Sequence, residues 1–237
     1  MIDIHSHIIP GVDDGSASLR ESLSLIQSAI SQGVTSIFCT PHNSAFDYNA
    51  NIRCIFNDLE DSIKDIPLQT SLYYGSEIFC EADSIKSILK KIEKNKYPTM
   101  NNTNYVLVEF NPYDSSDKDA VSCVKCIIED GLIPIIAHAE RYDFSEVKTI
   151  ERLASKGALI QINAYSLAME QKEKIKLLAR ELMKEKLVSF IGSDTHRTHH
   201  RPCMVKEGIK YAYVHFKEEY VDEVMFKNAN KLLIRRD

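Results

Sequence analysis

Residues of the kinds that bind metal ions lie in two closely spaced pairs in distant parts of this sequence. The pairs are His5-Ser6-His7 and Asp194-Thr195-His196. Alternate side chains of a strand point to the same face, so each pair can direct two ligands into one pocket. Single candidates lie between the pairs: His42, Glu77, Glu109 and His138.

The chemical types of these ligands indicate which metals the site would take. They are imidazoles and carboxylates without cysteine, a mixture that favours manganese or iron, with zinc as an alternative. A further carboxylate, either Asp13 or Asp14, follows the Pro10-Gly11 turn above the first predicted strand. The sequence therefore predicts a site for divalent cations.

Each candidate also has a simpler explanation, because a lone histidine or acid often caps an element, lies at the surface or forms a buried hydrogen bond. This applies to His42 and Glu109 when each is taken alone. Metal binding is favoured because all the candidates follow predicted strands. Three histidines lie outside that pattern and receive no role: His199, His200 and His215, the last of which is expected on a helix surface.

Two arginines lie just beyond predicted ligand strands. Arg141 follows His138, and Arg201 follows the Asp194–His196 pair. A guanidinium group matches phosphate oxygens with two parallel hydrogen bonds, so these residues are candidate catalytic groups that clamp an anionic substrate. Arg197 is closer to His196, but we expect it to form a surface salt bridge.

The elements that would position these residues are short apolar segments alternating with longer amphipathic ones. Strands are predicted at Ile2–His5, Val34–Thr40, Leu68–Gly75, Tyr105–Glu109, Ile133–His138, Ala158–Asn163 and Val188–Gly192. Helices are predicted at Asn51–Lys64, Ala120–Gly131, Phe144–Gly157, Lys172–Lys186 and Met204–Phe216, with two more before Gly33 and around Ile85–Ile92.

This alternation runs through the whole chain and favours a parallel α/β sheet. No linker rich in proline, glycine or serine interrupts it, so we expect residues 1–237 to form one domain. Seven predicted strands are one fewer than an eight-unit barrel has. The sequence therefore predicts a distorted TIM-like (β/α)7 barrel, with an open doubly wound sheet as the alternative.

Every candidate ligand follows a predicted strand at its carboxyl end. In parallel α/β folds these ends meet at one face, which is where ligands bind. Residues distant in sequence would therefore converge on one mouth.

Composition excludes several other functions. A net charge of −5 gives no basic surface for nucleic acid, so no nucleic-acid partner is expected. No apolar segment is long enough to insert into a membrane and no secretory signal is visible, so the protein is expected in the cytoplasm. The six scattered cysteines suit reduced thiols, and Cys123-Val-Lys-Cys126 suits helix packing better than zinc or redox chemistry.

Other catalytic signatures are missing from the sequence. It has no C-x5-R thiol phosphatase motif, no Walker phosphate loop and no G-x-S-x-G elbow. Asp117-Lys-Asp119 imitates an aspartyl-phosphatase motif but follows a polar segment, so we interpret it as the acidic start of a helix.

Taken in order, the motifs resemble one protein family over nearly the whole chain. They are H-S-H-I-I-P-G-V-D-D-G at the start, T-P-H at His42, G-S-E at Glu77, V-E-F at Glu109, A-H-A-E-R at Arg141 and S-D-T-H before Arg201. This set resembles the PHP-domain, manganese-dependent protein-tyrosine phosphatases of bacterial capsule and exopolysaccharide loci, the CpsB/CapC type.

The resemblance implies a PHP fold and three metal ions, Mn²⁺ with iron or zinc as alternatives. It assigns His5, His7, Glu77 and Asp194 to the first metal, Glu77, Glu109 and His138 to the second, and Asp14, His42 and His196 to the third. Ala139 stands where family members usually have proline, which should affect the loop of Arg141 more than His138.

The resemblance also implies the reaction and the partner. A metal-activated hydroxide would attack phosphotyrosine without a covalent intermediate, while Arg141 and Arg201 neutralise phosphoryl charge. The substrate would be a tyrosine-phosphorylated protein, namely the membrane-associated bacterial tyrosine kinase that controls polysaccharide synthesis. Two alternatives are a PHP phosphatase of a small monoester such as histidinol phosphate, and a metal-stabilised binding module without turnover.

Overall fold

Parallel strands and surrounding helices alternate through the protein, as the sequence predicts. The computed structural model describes residues 1–64, 70–170 and 172–234. Its strands are β1 (Ile2–Asp3), β2 (Ser36–Cys39), β3 (Ser71–Tyr74), β4 (Glu77–Phe79), β5 (Tyr105–Glu109), β6 (Ile133–Ile136), β7 (Leu159–Asn163) and β8 (Phe190–Gly192). Residues 68 and 69 of the strand predicted at Leu68–Gly75 lie outside the described ranges.

The strands form a ring of seven positions, one of which is occupied by two short strands. One sheet has the order β1-β2-β3 and the other β4-β5-β6-β7-β8, with every pairing parallel. Isolated bridges join Ser6 to Thr195 and His42 to Glu77. These bridges connect the two sheets at the carboxyl ends of the strands, which gives the distorted (β/α)7 barrel.

The division of the third strand corrects one detail of the sequence prediction. Residues 71–74 pair with β2, whereas residues 77–79 pair with β5, so the chain changes partner at Gly75 and Ser76. A Cβ atom on Gly75 would lie 3.0 Å from Met100 Sδ, so a larger residue would be crowded at this break. Glu77 therefore begins β4 instead of following the end of β3.

The helices pack outside the ring, and the seven predicted ones begin within a few residues of their predicted positions. The observed helices are α1 (Leu19–Ser31), α2 (Ala45–Tyr48), α3 (Ile52–Lys64), α4 (Ile85–Glu93), α5 (Asp117–Glu129), α6 (Val147–Ser155), α7 (Ala164–Ala168), α8 (Glu173–Lys184), α9 (Lys206–His215) and α10 (Glu218–Asp222). Helices α2, α7 and α10 were not predicted. Ser116 and Asp119 form a reciprocal capping box at the start of α5. The interpretation of Asp117-Lys-Asp119 as a helix start is thus confirmed.

Two apolar layers support the mouth of the barrel. The larger lies between strands and helices, and the smaller fills the barrel interior with Ile4, Phe38, Leu107, Ile135 and Phe190. A 3-10 turn at Ala229–Leu232 adds Leu232 to this inner layer. The polar ends of the strands consequently emerge above a packed interior.

All six cysteines fall within the described ranges and are free thiols. Cys123 is buried on α5 and Cys126 is partly buried, which agrees with a packing role for the C-x-x-C segment. Among the described residues, no helix combines the length and the apolar composition that crossing a membrane requires.

Candidate active site

All nine predicted metal ligands converge at the carboxyl ends of the strands. Their nitrogen and oxygen atoms lie close enough to hold metal ions in four overlapping groups. The groups are His7, Asp14, His42 and His196; His5, Glu77 and His138; His5, His7 and Asp194; and His42, Glu77 and Glu109. The convergence predicted from the strand ends is therefore present in the structure.

The buried carboxylate of Glu77 lies at the centre of the cluster. Its Oε1 atom is 3.0 Å from His138 Nε2 and 3.2 Å from His5 Nε2. Its Oε2 atom is 3.1 Å from His42 Nδ1 and 3.3 Å from His7 Nε2. Glu77 can therefore bridge neighbouring metal positions, and its placement at the start of β4 brings it level with His42.

The structure distinguishes the roles of the two neighbouring aspartates. Asp14 Oδ1 lies 3.4 Å from His42 Nε2 and 3.6 Å from His196 Nε2, so it faces the proposed ligands. Asp13 Oδ2 instead lies 2.8 Å from His7 Nδ1 and accepts a hydrogen bond from the His42 backbone. A carboxylate on the far nitrogen of a ligand histidine orients the ring toward the metal. Asp14 is thus the candidate ligand and Asp13 its orienting neighbour.

The four groups share more members than the family resemblance implies. His42 belongs both to the Asp14 and His196 group and to the Glu77 and Glu109 group, because its two ring nitrogens face opposite sides. Its Nδ1 atom is 2.9 Å from Glu109 Oε1. The geometry therefore allows His42 to serve either of two adjacent metal positions.

Electrostatics keep the carboxylates ionised despite their burial. Burial alone would raise the pKa of Glu77, but the surrounding His5, His138 and His42 hold that pKa well below its usual range. Burial opposes charge on His7 too, yet the hydrogen bonds to Asp13 and Glu77 raise its pKa to about 9. The carboxylates are thus negative, as a cation site requires, and a metal that bound His7 would take the place of a ring proton.

Burial and the charge of His7 lower the pKa of His196 to about 3. His196 is therefore neutral at pH 7, and its ring can offer a lone pair to a metal. Its Nδ1 atom lies 2.9 Å from the Asp194 carbonyl oxygen, which as an acceptor places the ring proton on Nδ1. The Nε2 atom is left to face Asp14.

Among the buried side-chain atoms without a hydrogen bond in the described part of the chain, two face other candidate ligands. They are Asp194 Oδ1 and His196 Nε2. A buried polar atom without a partner costs about 1–3 kcal/mol, and such atoms need an explanation. Both lie in the proposed ligand groups, so bound metal ions would satisfy them. The residues present therefore fit the metals that the sequence predicts.

Backbone strain is concentrated at the same mouth. His138, Asp194 and Arg201 have φ angles of 31°, 55° and 57°, in the left-handed region that residues other than glycine seldom adopt. Strain of this kind costs about 1–3 kcal/mol per residue and tends to occur at functional sites. Here it turns two candidate ligands and one candidate phosphate clamp toward the cluster.

Both predicted arginine clamps lie beside the cluster, at a cavity of about 350 Å³ that His42, Glu77 and Asp194 also line. Arg141 Nη1 donates to Asp194 Oδ2 at 2.8 Å, and Arg201 Nη2 donates to Asp14 Oδ2 at 3.0 Å.

Arg197 instead forms an exposed ion pair with Glu21, as expected. The three histidines without a role are exposed, and His215 ends α9 on the surface. The pattern of strand ends thus separates residues at the mouth from residues elsewhere.

Comparison with known proteins shows which family the chain belongs to. Residues 1–234 match the family described as "Capsular polysaccharide synthesis, CpsB/CapC". The chain belongs to the CpsB/CapC family. It is 32% identical to the tyrosine-protein phosphatase CpsB of Streptococcus pneumoniae, over 99% of this chain and 98% of that protein. It is 30% identical to the tyrosine-protein phosphatase YwqE of Bacillus subtilis strain 168, over 98% and 91%.

Solved structures agree with this membership. One match is from the crystal structures of YwqE from Bacillus subtilis and CpsB from Streptococcus pneumoniae, which are described as "unique metal-dependent tyrosine phosphatases". It superposes with a TM-score of 0.88 at 28% identity, covering 98% of this chain and 94% of that one. Histidinol phosphate phosphatase from Lactococcus lactis superposes with a TM-score of 0.57 at 16% identity, covering 91% and 94%. The second likeness shows a shared fold alone.

In this CpsB/CapC family member, sequence reasoning missed several polar residues beneath the mouth. Gln161 and Asn163 on β7 are buried within hydrogen-bonding distance of His5 and Asp194, and the buried Glu140 after β6 accepts from the Asn163 backbone. A signal was available, since Gln161 and Asn163 alternate with isoleucines in a strand that is otherwise apolar. Polar residues on the inner face of a barrel strand have to find partners inside the barrel.

Proposed function

We propose that this protein is a metal-dependent tyrosine-protein phosphatase that hydrolyses phosphotyrosine on a protein substrate. The observation that carries the proposal is the convergence of nine metal-binding side chains around Glu77, with two arginines at the same cavity. Its family membership and its relatives, which are named tyrosine-protein phosphatases, support this activity.

The proposed ligand sets follow the family resemblance, and every member lies in at least one of the four groups. His5, His7 and Asp194 would hold one cation, His138 and Glu109 a second, and Asp14, His42 and His196 a third, with Glu77 between the first two. When bound, divalent cations supply a water of lowered pKa and offset charge on phosphoryl oxygens. We propose Mn²⁺ as the natural ion because the ligands combine four carboxylates with five imidazoles and include no cysteine.

The protein's own contribution to catalysis is to bind and orient the phosphoryl group. Arg141 and Arg201 both line the cavity and lie within reach of the ligand carboxylates of Asp194 and Asp14. Guanidinium donors held at that position can exchange a carboxylate oxygen for a phosphoryl oxygen. They would then stabilise charge that develops during the transfer, an effect worth several kcal/mol in water-excluded sites.

The shape of the cavity favours an aromatic phosphoester. One wall follows β5 and consists of Phe110, Pro112 and Tyr113, with Tyr113 largely exposed at its outer end. Lys172 and Lys174 also line the cavity. An aromatic ring attached to the phosphate would lie along the apolar wall, while the peptide on either side would remain outside. This arrangement suits phosphotyrosine on a protein better than a small polar monoester.

The partner we propose is a tyrosine-phosphorylated protein of capsule or exopolysaccharide synthesis, namely the membrane-associated kinase that regulates it. The family description refers to capsular polysaccharide synthesis, which supports this context. The protein would act from the cytoplasm on tyrosines exposed at the inner membrane surface.

Activity on three phosphoesters tests the proposed function. The metal-loaded protein should hydrolyse a phosphotyrosine peptide faster than the matched phosphoserine peptide and faster than histidinol phosphate, measured as kcat/KM from phosphate release. Faster turnover of histidinol phosphate would contradict the proposal and favour the small-monoester alternative. Metal binding without hydrolysis of any ester would favour a binding module.

The aromatic wall gives a sharper prediction within the same assay. Tyr113→Ala should raise KM for the phosphotyrosine peptide by up to about tenfold, since an aromatic pair contributes about 0.5–1.5 kcal/mol. The rate on phosphoserine peptide should stay the same because no ring is there to contact the wall. Tyr213→Ala is the control, because Tyr213 lies on α9 outside the cavity and bonds Asp222. An unchanged KM in Tyr113→Ala would remove Tyr113 from substrate recognition.

A further inference from the structure

Gln161 is a fully buried amide on β7 whose polar contacts all point toward the mouth of the barrel. Its Oε1 atom lies 2.8 Å from the His138 backbone nitrogen and 3.1 Å from His5 Nδ1. Its Nε2 atom lies 2.9 Å from Asn163 Oδ1. One side chain thus contacts two candidate ligands, His5 and His138, which share a group with Glu77.

A backbone group fixes the orientation of this amide. The His138 backbone N–H can only donate, so the Gln161 atom that it contacts must be the oxygen. The same oxygen faces His5 Nδ1, which must therefore carry the ring proton. The lone pair of His5 is then on Nε2, the atom that faces Glu77 and the other candidate ligands.

Asn163 extends this fixed direction of hydrogen bonding to a third candidate ligand, Asp194. Because Gln161 Nε2 donates to Asn163 Oδ1, the amide nitrogen of Asn163 is the atom that faces Asp194. This Nδ2 atom donates to Asp194 Oδ2 at 3.1 Å. Asp194 Oδ2 thus accepts a hydrogen bond from Asn163. The other carboxylate oxygen, Oδ1, has no hydrogen bond and faces His5 and His7.

A glycine on the neighbouring strand makes room for this arrangement. A Cβ atom on Gly192 of β8 would lie 3.0 Å from Gln161 Nε2 and 3.1 Å from His5 Cβ. Such distances are tighter than ordinary contacts between carbon and its neighbours. The close approach of β8 thus depends on a residue without a side chain beside the amide and the histidine that it orients.

We propose that Gln161 is a positioning residue that sets the proton on His5 and, through Asn163, the polarity at Asp194, so that both present lone pairs to a shared metal position. The inference rests on the proposed function only in that the site binds metals. A single backbone donor, the His138 N–H, thereby determines the hydrogen-bond direction at two ligands distant in sequence. Contacts of this kind typically contribute 10- to 100-fold to metal affinity.

The test is Mn²⁺ binding, followed through the electron paramagnetic resonance signal of the free aqueous ion, with no phosphoester present. Gln161→Leu keeps the side-chain volume but has no acceptor for His138 and His5. We expect its Mn²⁺ affinity to fall by about 10- to 100-fold. Gln161→Glu keeps the acceptor for His138 and His5 but loses the donor to Asn163, so its Mn²⁺ affinity should fall less than that of Gln161→Leu. Ile162→Val, on the same strand but facing away from the amide, is the structural control.

A second readout reports the proton on His5 itself. In zinc-loaded protein with ¹⁵N-labelled histidine rings, His5 should show a protonated Nδ1 in wild type and in Gln161→Glu, and should lose that hydrogen-bonded signal in Gln161→Leu. Wild-type Mn²⁺ affinity in Gln161→Leu would overturn the proposal. An affinity loss that merely follows the drop in thermal stability, equally in Gln161→Leu and Ile162→Val, would overturn it as well.

These outcomes are independent of the phosphatase assay. If wild type binds Mn²⁺ but hydrolyses no phosphotyrosine, the proposed function fails while the role of Gln161 can still be measured. If Gln161→Leu binds Mn²⁺ normally in an active phosphatase, the role of Gln161 fails and the proposed function remains.

Discussion

Asp194→Ala should abolish phosphatase activity and reduce the number of metal ions that the protein binds. Asp194 Oδ1 lies 3.6 Å from His5 Nε2 and 3.8 Å from His7 Nε2, so its removal takes a charged ligand from the centre of one group. Metal content after dialysis, together with the rate on a phosphotyrosine peptide, measures both effects. His7→Ala should behave in the same way, because His7 belongs to two of the four groups.

Thermal unfolding adds an independent measure of the same loss. A ligand that binds only the folded state stabilises it by about 2.7 kcal/mol at a concentration 100 times its Kd. Added Mn²⁺ should therefore raise the Tm of wild type and do so far less in Asp194→Ala. Asp117→Ala is a matched control, since Asp117 pairs with Arg152 on the surface. Full metal content in an inactive Asp194→Ala protein would contradict the assignment of Asp194 as a ligand.

Arg141→Ala should keep the metals and lose most of the catalytic rate. We expect kcat to fall by about 10²- to 10³-fold, the usual cost of losing one donor that stabilises transition-state charge. Arg141→Lys should recover part of this, because lysine restores the charge without the planar pair of donors. Steady-state kinetics with metal analysis on the same samples would separate this effect from metal loss.

An exposed arginine provides the control for this prediction. Arg152 Nη2 lies 2.6 Å from Asp117 Oδ2, so Arg152→Ala removes an arginine–aspartate pair of comparable geometry away from the mouth. Its activity should equal that of wild type, and its stability should change by at most about 1 kcal/mol. Full activity in Arg141→Ala would remove Arg141 from the catalytic machinery.

The barrel and the ligand types could be predicted from the sequence because both depend on local patterns. Apolar periodicity located the strand Tyr105–Glu109 at its observed bounds, and the parallel fold then required the strand ends to meet. The break of the third strand was missed because Gly75-Ser76 looks like a turn at the end of one strand. Only the pairing of residues 77–79 with β5 shows that a new strand begins there.

The hydrogen-bond arrangement around the ligands could not be predicted from spacing. Asp13 and Asp14 are adjacent acids in one turn, and which of them faces His42 depends on how Gly15 lets the turn fold onto His7. Gln161 appeared as part of a strand, and its role depends on the backbone of His138, which belongs to a different strand end. Such contacts arise from tertiary packing, which a single sequence does not encode as a local motif.

The most direct test of the central claim is the hydrolysis of a phosphotyrosine peptide after chelation of metals, with Mn²⁺, Zn²⁺, Mg²⁺ or no ion added back. If hydrolysis depends on metal ions, the chelated protein should be inactive. Adding a divalent ion back should restore activity, and Mn²⁺ should restore it most strongly. Undiminished activity in the chelated, metal-free protein would contradict the proposed mechanism, because the converging histidines and carboxylates would then not be needed for catalysis.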